Sequence, residues 1–281
     1  MTHETRAAPT ADARMRQALE STKSAFHDRL GPNDLGFLDR VYRQGLSVYV
    51  DRLNAIGFSR HQSVLDAGCG FGQWSLALTQ LNDAVSACDV STLRVELLSQ
   101  MATVLNATNL TARVARLNAL PYPDNHFDAA FCYSVIFLTP WRQSLAELAR
   151  VLKPGGKLYV NANGVGWYLH LWHSEHNKTD DYDPRGIAAR AFTDTLRYDR
   201  EDLFEDGMNL IIDPKHLRDI AEGCQLQWQH QAGEGRLHVD PSAPAPKPFF
   251  QAEYRGHLGV YELLGVKSAS APAVSIRSES R

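Results

Sequence analysis

The segment Val64-Leu65-Asp66-Ala67-Gly68-Cys69-Gly70-Phe71-Gly72 carries the clearest chemical information in the chain. A short apolar run leads into glycines at alternate positions. The backbone can therefore turn sharply, and a ligand can approach main-chain atoms without meeting a Cβ. This arrangement predicts a nucleotide-type cofactor at the carboxyl end of a strand. A second chemical cluster lies about a hundred residues downstream, where Trp167, Tyr168, His170, Trp172, His173, Glu175 and His176 crowd together. The histidine spacing suits either one face of a helix holding a metal or a base for an acidic hydroxyl, since an ordinary imidazole titrates near neutrality. No cysteine or distant ligand set accompanies these histidines, so a base, His170 or His173, is the preferred reading and no metal is expected.

Two cofactors compete for the glycine turn. A dinucleotide site needs a third small residue for close helix–strand packing, and that position is Gln73. Asp66 also brings negative charge into the turn, which opposes a diphosphate. S-adenosylmethionine has no phosphate, and its ammonium and sulfonium favour a nearby carboxylate, so it fits these residues better than NAD(P). The alternatives left open are an NAD(P)-dependent oxidoreductase and a catalytically silent module that binds S-adenosylmethionine for regulation.

Further motifs follow in order. Asp66-x-Gly68-x-Gly70-x-Gly72 resembles the first motif of class I S-adenosylmethionine-dependent methyltransferases. Asp89, after Ser86-Ala87-Cys88, stands where that family has the acidic residue that binds both ribose hydroxyls. Asn118-Ala119-Leu120-Pro121-Tyr122-Pro123-Asp124-Asn125-His126-Phe127-Asp128 resembles its adenine-side loop and fourth strand. Leu148-Ala149-Arg150-Val151-Leu152-Lys153-Pro154-Gly155-Gly156-Lys157 resembles its joint before strand five. The resemblance covers about residues 60–162, closest to the small-molecule methyltransferases of types 11 and 25. It implies a donor site made of Asp66, Gly68, Cys69, Gly70, Gly72, Asp89, Val90, Asn118, Ala119 and Tyr133, with Tyr133 and Ser134 beside the transferring methyl. It departs from the family at Asn118, where aspartate is usual; an amide oxygen still accepts from the adenine amino group, and the Ala119 backbone serves the ring nitrogen. The implied reaction is in-line displacement of the methyl by an O, N or C nucleophile of a small-molecule acceptor.

These residues must be positioned by alternating strands and helices. Helices are expected over 13–30 and, from Leu38, Val41, Tyr42, Leu46, Tyr49, Val50 and Leu53, over 35–56. Tyr42 and Tyr49 are core residues of that helix or a cover for the donor. Strands are expected at 64–65, 84–88, 110–115, 127–133 with a continuation through 135–138, and 157–160. Helices are expected through 74–78, over 92–105 with Ser91 as N-cap, and over 141–152. The repeating β-α units predict a Rossmann-like, doubly wound, mostly parallel sheet with N-terminal helices. Residues 162–208 break the rhythm and read as a substrate-side insert after strand five. A helix over 214–222, a strand over 225–229 and an antiparallel return over 258–264 complete the chain. One methyltransferase domain over 13–267 is expected between disordered tails at 1–12 and 268–281.

The composition fits this reading. With 281 residues, 44% hydrophobic, 22% charged and a net charge of −3, the chain can bury a core and lacks the basic stripe that nucleic acid requires. Met1–Arg16 has no apolar signal stretch, and no run nears the roughly 20 apolar residues that cross a bilayer. Cys69, Cys88, Cys132 and Cys224 are widely spaced, which predicts free thiols in a reducing cytoplasm. Oligomeric state stays open.

Overall fold

The computed structural model describes residues 11–269. Residues up to Arg116, with His238–Lys247, form one compact unit, and Leu117–Leu237, with the residues from Pro248, form a second. The seven principal strands belong to one mostly parallel sheet with flanking helices, the Rossmann-like, doubly wound fold expected. No helix among the described residues is long and apolar enough to cross a membrane.

The first unit contains α1 (Ala11–Ala25), α2 (Pro32–Tyr42), α3 (Ser47–Ala55), β1 (Val64–Ala67), α4 (Gln73–Thr79), β2 (Val85–Asp89), α5 (Thr92–Leu105) and β3 (Leu110–Val114). Its strands lie in the order β3-β2-β1, all parallel. Met15, Leu19, Leu38, Tyr42, Phe71, Leu76, Leu98 and Met101 form its core cluster. The single helix expected over 35–56 is two helices. The chain turns through Gly45 at φ +69°, a left-handed conformation that ends the first helix before Ser47 starts the second. The helix expected over 13–30 instead begins at Ala11 and stops at Ala25; Ala11 and Asp12 are thus helical, and the rest of the expected N-terminal tail lies outside the described residues. α5 has its expected bounds, and Ser91 Oγ accepts from the Arg94 N–H at 3.4 Å.

The second unit contains β4 (Phe127–Cys132), α6 (Trp141–Val151), β5 (Leu152–Asn163), α7 (Val165–Ser174), α8 (Pro184–Glu201), α9 (Pro214–Gly223), β6 (Leu226–Gly233), the small strands β7 (Glu253–Tyr254) and β8 (His257–Leu258), and β9 (Val260–Lys267). The order is β4-β5-β9-β6, with β4 and β5 parallel and β9 antiparallel to both neighbours. Two expectations are corrected. β4 does not continue through 135–138: Ser134 takes φ +59° and Ile136–Leu138 forms a 3-10 turn. β5 is far longer than 157–160, because Lys153–Gly156 is accommodated as a bulge between the pairs Phe127–Leu152 and Ala129–Lys157. The insert is helical, formed by α7 and α8. At the far end Ser268 still donates its N–H to the Gln225 carbonyl at 2.8 Å, and the residues from Ser270 lie outside the described ones.

Candidate active site

The glycine loop is fastened from three sides in the first unit. Gly68 and Cys69 donate their N–H groups to the Cys88 carbonyl at 2.8 and 2.9 Å, tying the end of β1 to the end of β2. Gly70 N–H donates to Asp89 Oδ2 at 2.9 Å, and Ser91 N–H to Asp89 Oδ1 at 2.9 Å. Tyr42 donates its hydroxyl to the Phe71 carbonyl at 2.7 Å, so this helix residue anchors the loop. Tyr49 instead packs edge-on to Trp74 at 4.8 Å between centroids.

The three glycines share positive φ angles of +82°, +54° and +85°, yet they face different surroundings. A Cβ on Gly70 would meet nothing within 4 Å, whereas one on Gly72 would come within 2.3 Å of Leu98 Cδ1. Gly70 therefore borders ligand-accessible space, and Gly72 lets α4 approach α5. Asp66, fully buried in β1, accepts from Ser75 Oγ at 2.5 Å. Burial pushes its carboxyl up to about 7; the Ser75 hydrogen bond opposes this and the Asp89 charge adds to it. Gln73 opens α4 with its side chain buried and its Oε1 without a hydrogen-bond partner. Val90, just after Asp89, is a large apolar side chain left 57% exposed. Cys69 is buried, and burial raises its thiol well above the ordinary value.

The remaining site residues lie in the second unit. Asn118 is half-buried and donates Nδ2 to Gln143 Oε1 at 3.4 Å, so the amide oxygen is the group turned to a ligand; Ala119 is exposed. Their loop is held by Arg150 of α6, which donates to the Leu120 carbonyl at 3.0 Å, the Tyr122 carbonyl at 2.8 Å, Asp124 at 2.7 Å and Glu147 at 2.7 and 2.8 Å. Glu147 in turn accepts the Leu120 N–H at 2.8 Å. The Arg150 hydrogen bond holds the Glu147 carboxyl below the ordinary range, with its partial burial acting the other way.

Tyr133 is buried and donates its hydroxyl to Glu234 Oε1 at 2.7 Å, so what it offers a ligand is its ring. Glu234 also accepts the N–H groups of Phe249 and Phe250 at 2.8 and 3.1 Å. A file of rings runs outward from there. Tyr133 meets Phe250 at 6.2 Å, Phe250 meets Trp167 at 5.5 Å, and Trp167 meets His170 at 5.5 Å. His170 is half-buried beside His176 and Tyr254, each 5.3 Å away between centroids. Burial, helped by His176, lowers its pKa below the ordinary imidazole value. His173 is exposed, 3.1 Å from the Leu169 carbonyl through Nδ1 and 5.8 Å from Tyr254. Among the described residues no group of three or more His, Cys, Asp or Glu side chains is arranged to hold a metal.

Residues 64–156, which contain this loop, Asp89 and the Arg150 clasp, match the family model of the methyltransferase domain. The chain carries a class I methyltransferase domain. Its relatives include the O-methyltransferase rstn1 of Aspergillus nomiae, 31% identical over 39% of this chain and 49% of that protein. The uncharacterized methyltransferase YcgJ of Bacillus subtilis is 26% identical over 62% of this chain and 56% of its own. The matched segments thus span about half the length of these relatives. Among solved structures, a geranyl diphosphate methyltransferase in complex with S-adenosylmethionine is 14% identical, covers 84% of this chain and 92% of its own, and superposes with a TM-score of 0.55. That likeness is one of fold.

Within the methyltransferase domain, the glycine loop, Asp66, Asp89 and Val90 come together at the ends of β1 and β2. Tyr133 and His170 are joined through Phe250 and Trp167, and His173 stands apart on the surface of α7. Sequence reasoning missed Gln73 as an acceptor, because its size drew attention only as an obstacle to a dinucleotide. It missed Arg150 as the clasp of the 118–124 loop, although Arg150 lies in a motif that was read. Glu234 and Phe250 carried no local signal at all.

Proposed function

We propose that this chain is an S-adenosylmethionine-dependent methyltransferase acting on a small-molecule acceptor, with residues 13–267 working as one methyltransferase domain. The observation that carries the reading is the cradle around Gly70: open space where a Cβ would stand, the Asp89 carboxylate at its rim and the unpartnered Gln73 Oε1. Asp89 would hold the ribose hydroxyls and Val90 would cover the adenine face. Asn118 and the Ala119 backbone would receive the adenine edge, with Cys69 lining the loop. Asp66 and Gln73 suit the ammonium end, since a buried carboxyl held near neutrality and an unpaired oxygen both gain from a cation. Gln73 also fills the position that a dinucleotide would need small.

The bound donor supplies a methyl group already activated on sulfonium. The chain's part is then to align the acceptor, exclude water and take a proton when the nucleophile carries one. Tyr133 offers a wall, and His170, with His173 beyond it, offers an imidazole. Net charge −3 disfavours nucleic acid, and thiols at Cys69, Cys88, Cys132 and Cys224 that form no disulfide suit a reducing cytoplasm. Calorimetry with S-adenosylhomocysteine and, separately, NAD tests the reading. The homocysteine product should bind and NAD should not, and Asp89→Ala should weaken the product by about tenfold or more, because charge-assisted hydrogen bonds are lost. Binding of NAD alone overturns the proposal.

A further inference from the structure

Asn161 lies near the carboxyl end of β5, 1% exposed. Its Oδ1 accepts the N–H of Ser134, the left-handed residue that ends β4. A backbone N–H can only donate, so the side-chain orientation is fixed and Nδ2 is the other end of the amide. That Nδ2 is buried and has no hydrogen-bond partner. A buried donor without an acceptor costs about 1–3 kcal/mol, and such groups in a well-formed fold call for an explanation such as a ligand.

The neighbouring polar groups narrow what that ligand is. On the antiparallel partner β9, Glu262 stands opposite Asn161 and is fully buried. It accepts the Tyr159 hydroxyl at 2.7 Å and the N–H groups of Arg236 and Leu237 at 2.9 and 2.8 Å. Glu234 is likewise engaged by Tyr133, Phe249 and Phe250. Neither carboxylate is left to receive an ammonium acceptor. The walls nearby are flat rings, with Tyr133 stacked on Phe131 at 6.0 Å and followed by Phe250 and Trp167.

We infer that the acceptor is a neutral planar molecule bearing a ring oxygen substituent, and that Asn161 Nδ2 donates to that oxygen. Asn161 is thus a specificity-determining residue that also fixes the turn at Ser134. The inference rests on the methyl-transfer reading above for its purpose, but not for its test. The probes are 5-hydroxyindole and indole, which differ by one hydroxyl, with glycine as an ammonium probe. Each is titrated by calorimetry into the full chain, both alone and loaded with S-adenosylhomocysteine.

The wild type should prefer 5-hydroxyindole over indole by about fivefold, the net effect of one hydrogen bond. Asn161→Leu should abolish that preference without changing product affinity, and Asn161→Ala serves if the leucine variant does not fold. A purely structural Asn161 would weaken both indoles by the same factor and leave their ratio intact. An unchanged ratio, no binding of either indole, or tighter binding of glycine overturns the inference. Failure of the homocysteine product to bind sinks the methyl-transfer reading instead, and the indole ratio on the unloaded chain still decides the role of Asn161.

Discussion

Asp66 and Asp89 are the same residue type at the ends of adjacent strands, yet their surroundings set them to different tasks. Asp89 receives a backbone N–H on each oxygen, from Gly70 and Ser91. Asp66 has the Ser75 hydroxyl and a dry interior that raises its carboxyl from 3.8 to about 7. The native state therefore binds more protons than the unfolded chain between those values, so stability falls as pH rises from about 4 to about 7. The slope reaches up to roughly 1.4 kcal/mol per pH unit, the worth of one proton. Melting temperatures of the ligand-free protein should drop across that window. Asp66→Asn keeps an oxygen for Ser75 and should flatten the profile; parallel profiles for wild type and variant would remove Asp66 as the cause. At this scale the acidic residues were legible because their motif spacing is rigid. Gln73 was legible only as bulk, since nothing in sequence tells whether a buried amide oxygen finds a partner.

Among elements, the glycine loop shows how one repeated residue meets two unrelated demands. All three glycines adopt left-handed backbone, which costs a residue with Cβ about 1–2 kcal/mol. Gly70 adds no steric conflict inside the protein, while Gly72 would drive a Cβ into Leu98. Gly70→Ala should accordingly lose about 1–2 kcal/mol of stability but most of its affinity for S-adenosylhomocysteine. Gly72→Ala should lose more stability than Gly70→Ala, and Leu98→Ala should recover part of that loss. Denaturant titration and calorimetry on the same samples separate the two, and equal stability losses would show that α4 and α5 do not need the close approach. The strand–loop–helix order was readable because each element announces itself locally, as Ser91 does for α5. The break between α2 and α3 was not, since apolar spacing runs on through the turn and Gly45 alone ends the helix. Nor was the reach of β5, where Pro154-Gly155-Gly156 reads as a stop and is instead absorbed in a bulge.

For the whole molecule, the parallel part of the sheet follows from repetition along the chain, whereas everything after β5 depends on partners far away in sequence. β9 pairs with both β5 and β6, and the hairpin β7–β8 supplies Tyr254 to the histidines of α7. Local periodicity does not encode such pairings, and this is why His170 and His173 looked equivalent from sequence. The structure separates them. His170 sits among Trp167, His176 and Tyr254, and its lowered pKa keeps it neutral, hence able to accept a proton, at pH 7. Its base-competent form is lost as pH falls through that lowered value, so acceptor turnover should decline on the acid side of about 6.5, the ordinary imidazole value. His173 is exposed, with a backbone carbonyl beside its Nδ1. His170→Ala should therefore lower turnover by about a hundredfold, the lower end of what a positioned general base contributes, and erase the acid limb. His173→Ala should change turnover little, and neither variant should alter affinity for S-adenosylhomocysteine. Rates measured against pH for both variants decide the point: an intact acid limb in His170→Ala would place the titrating group elsewhere and leave α7 a wall without a proton acceptor.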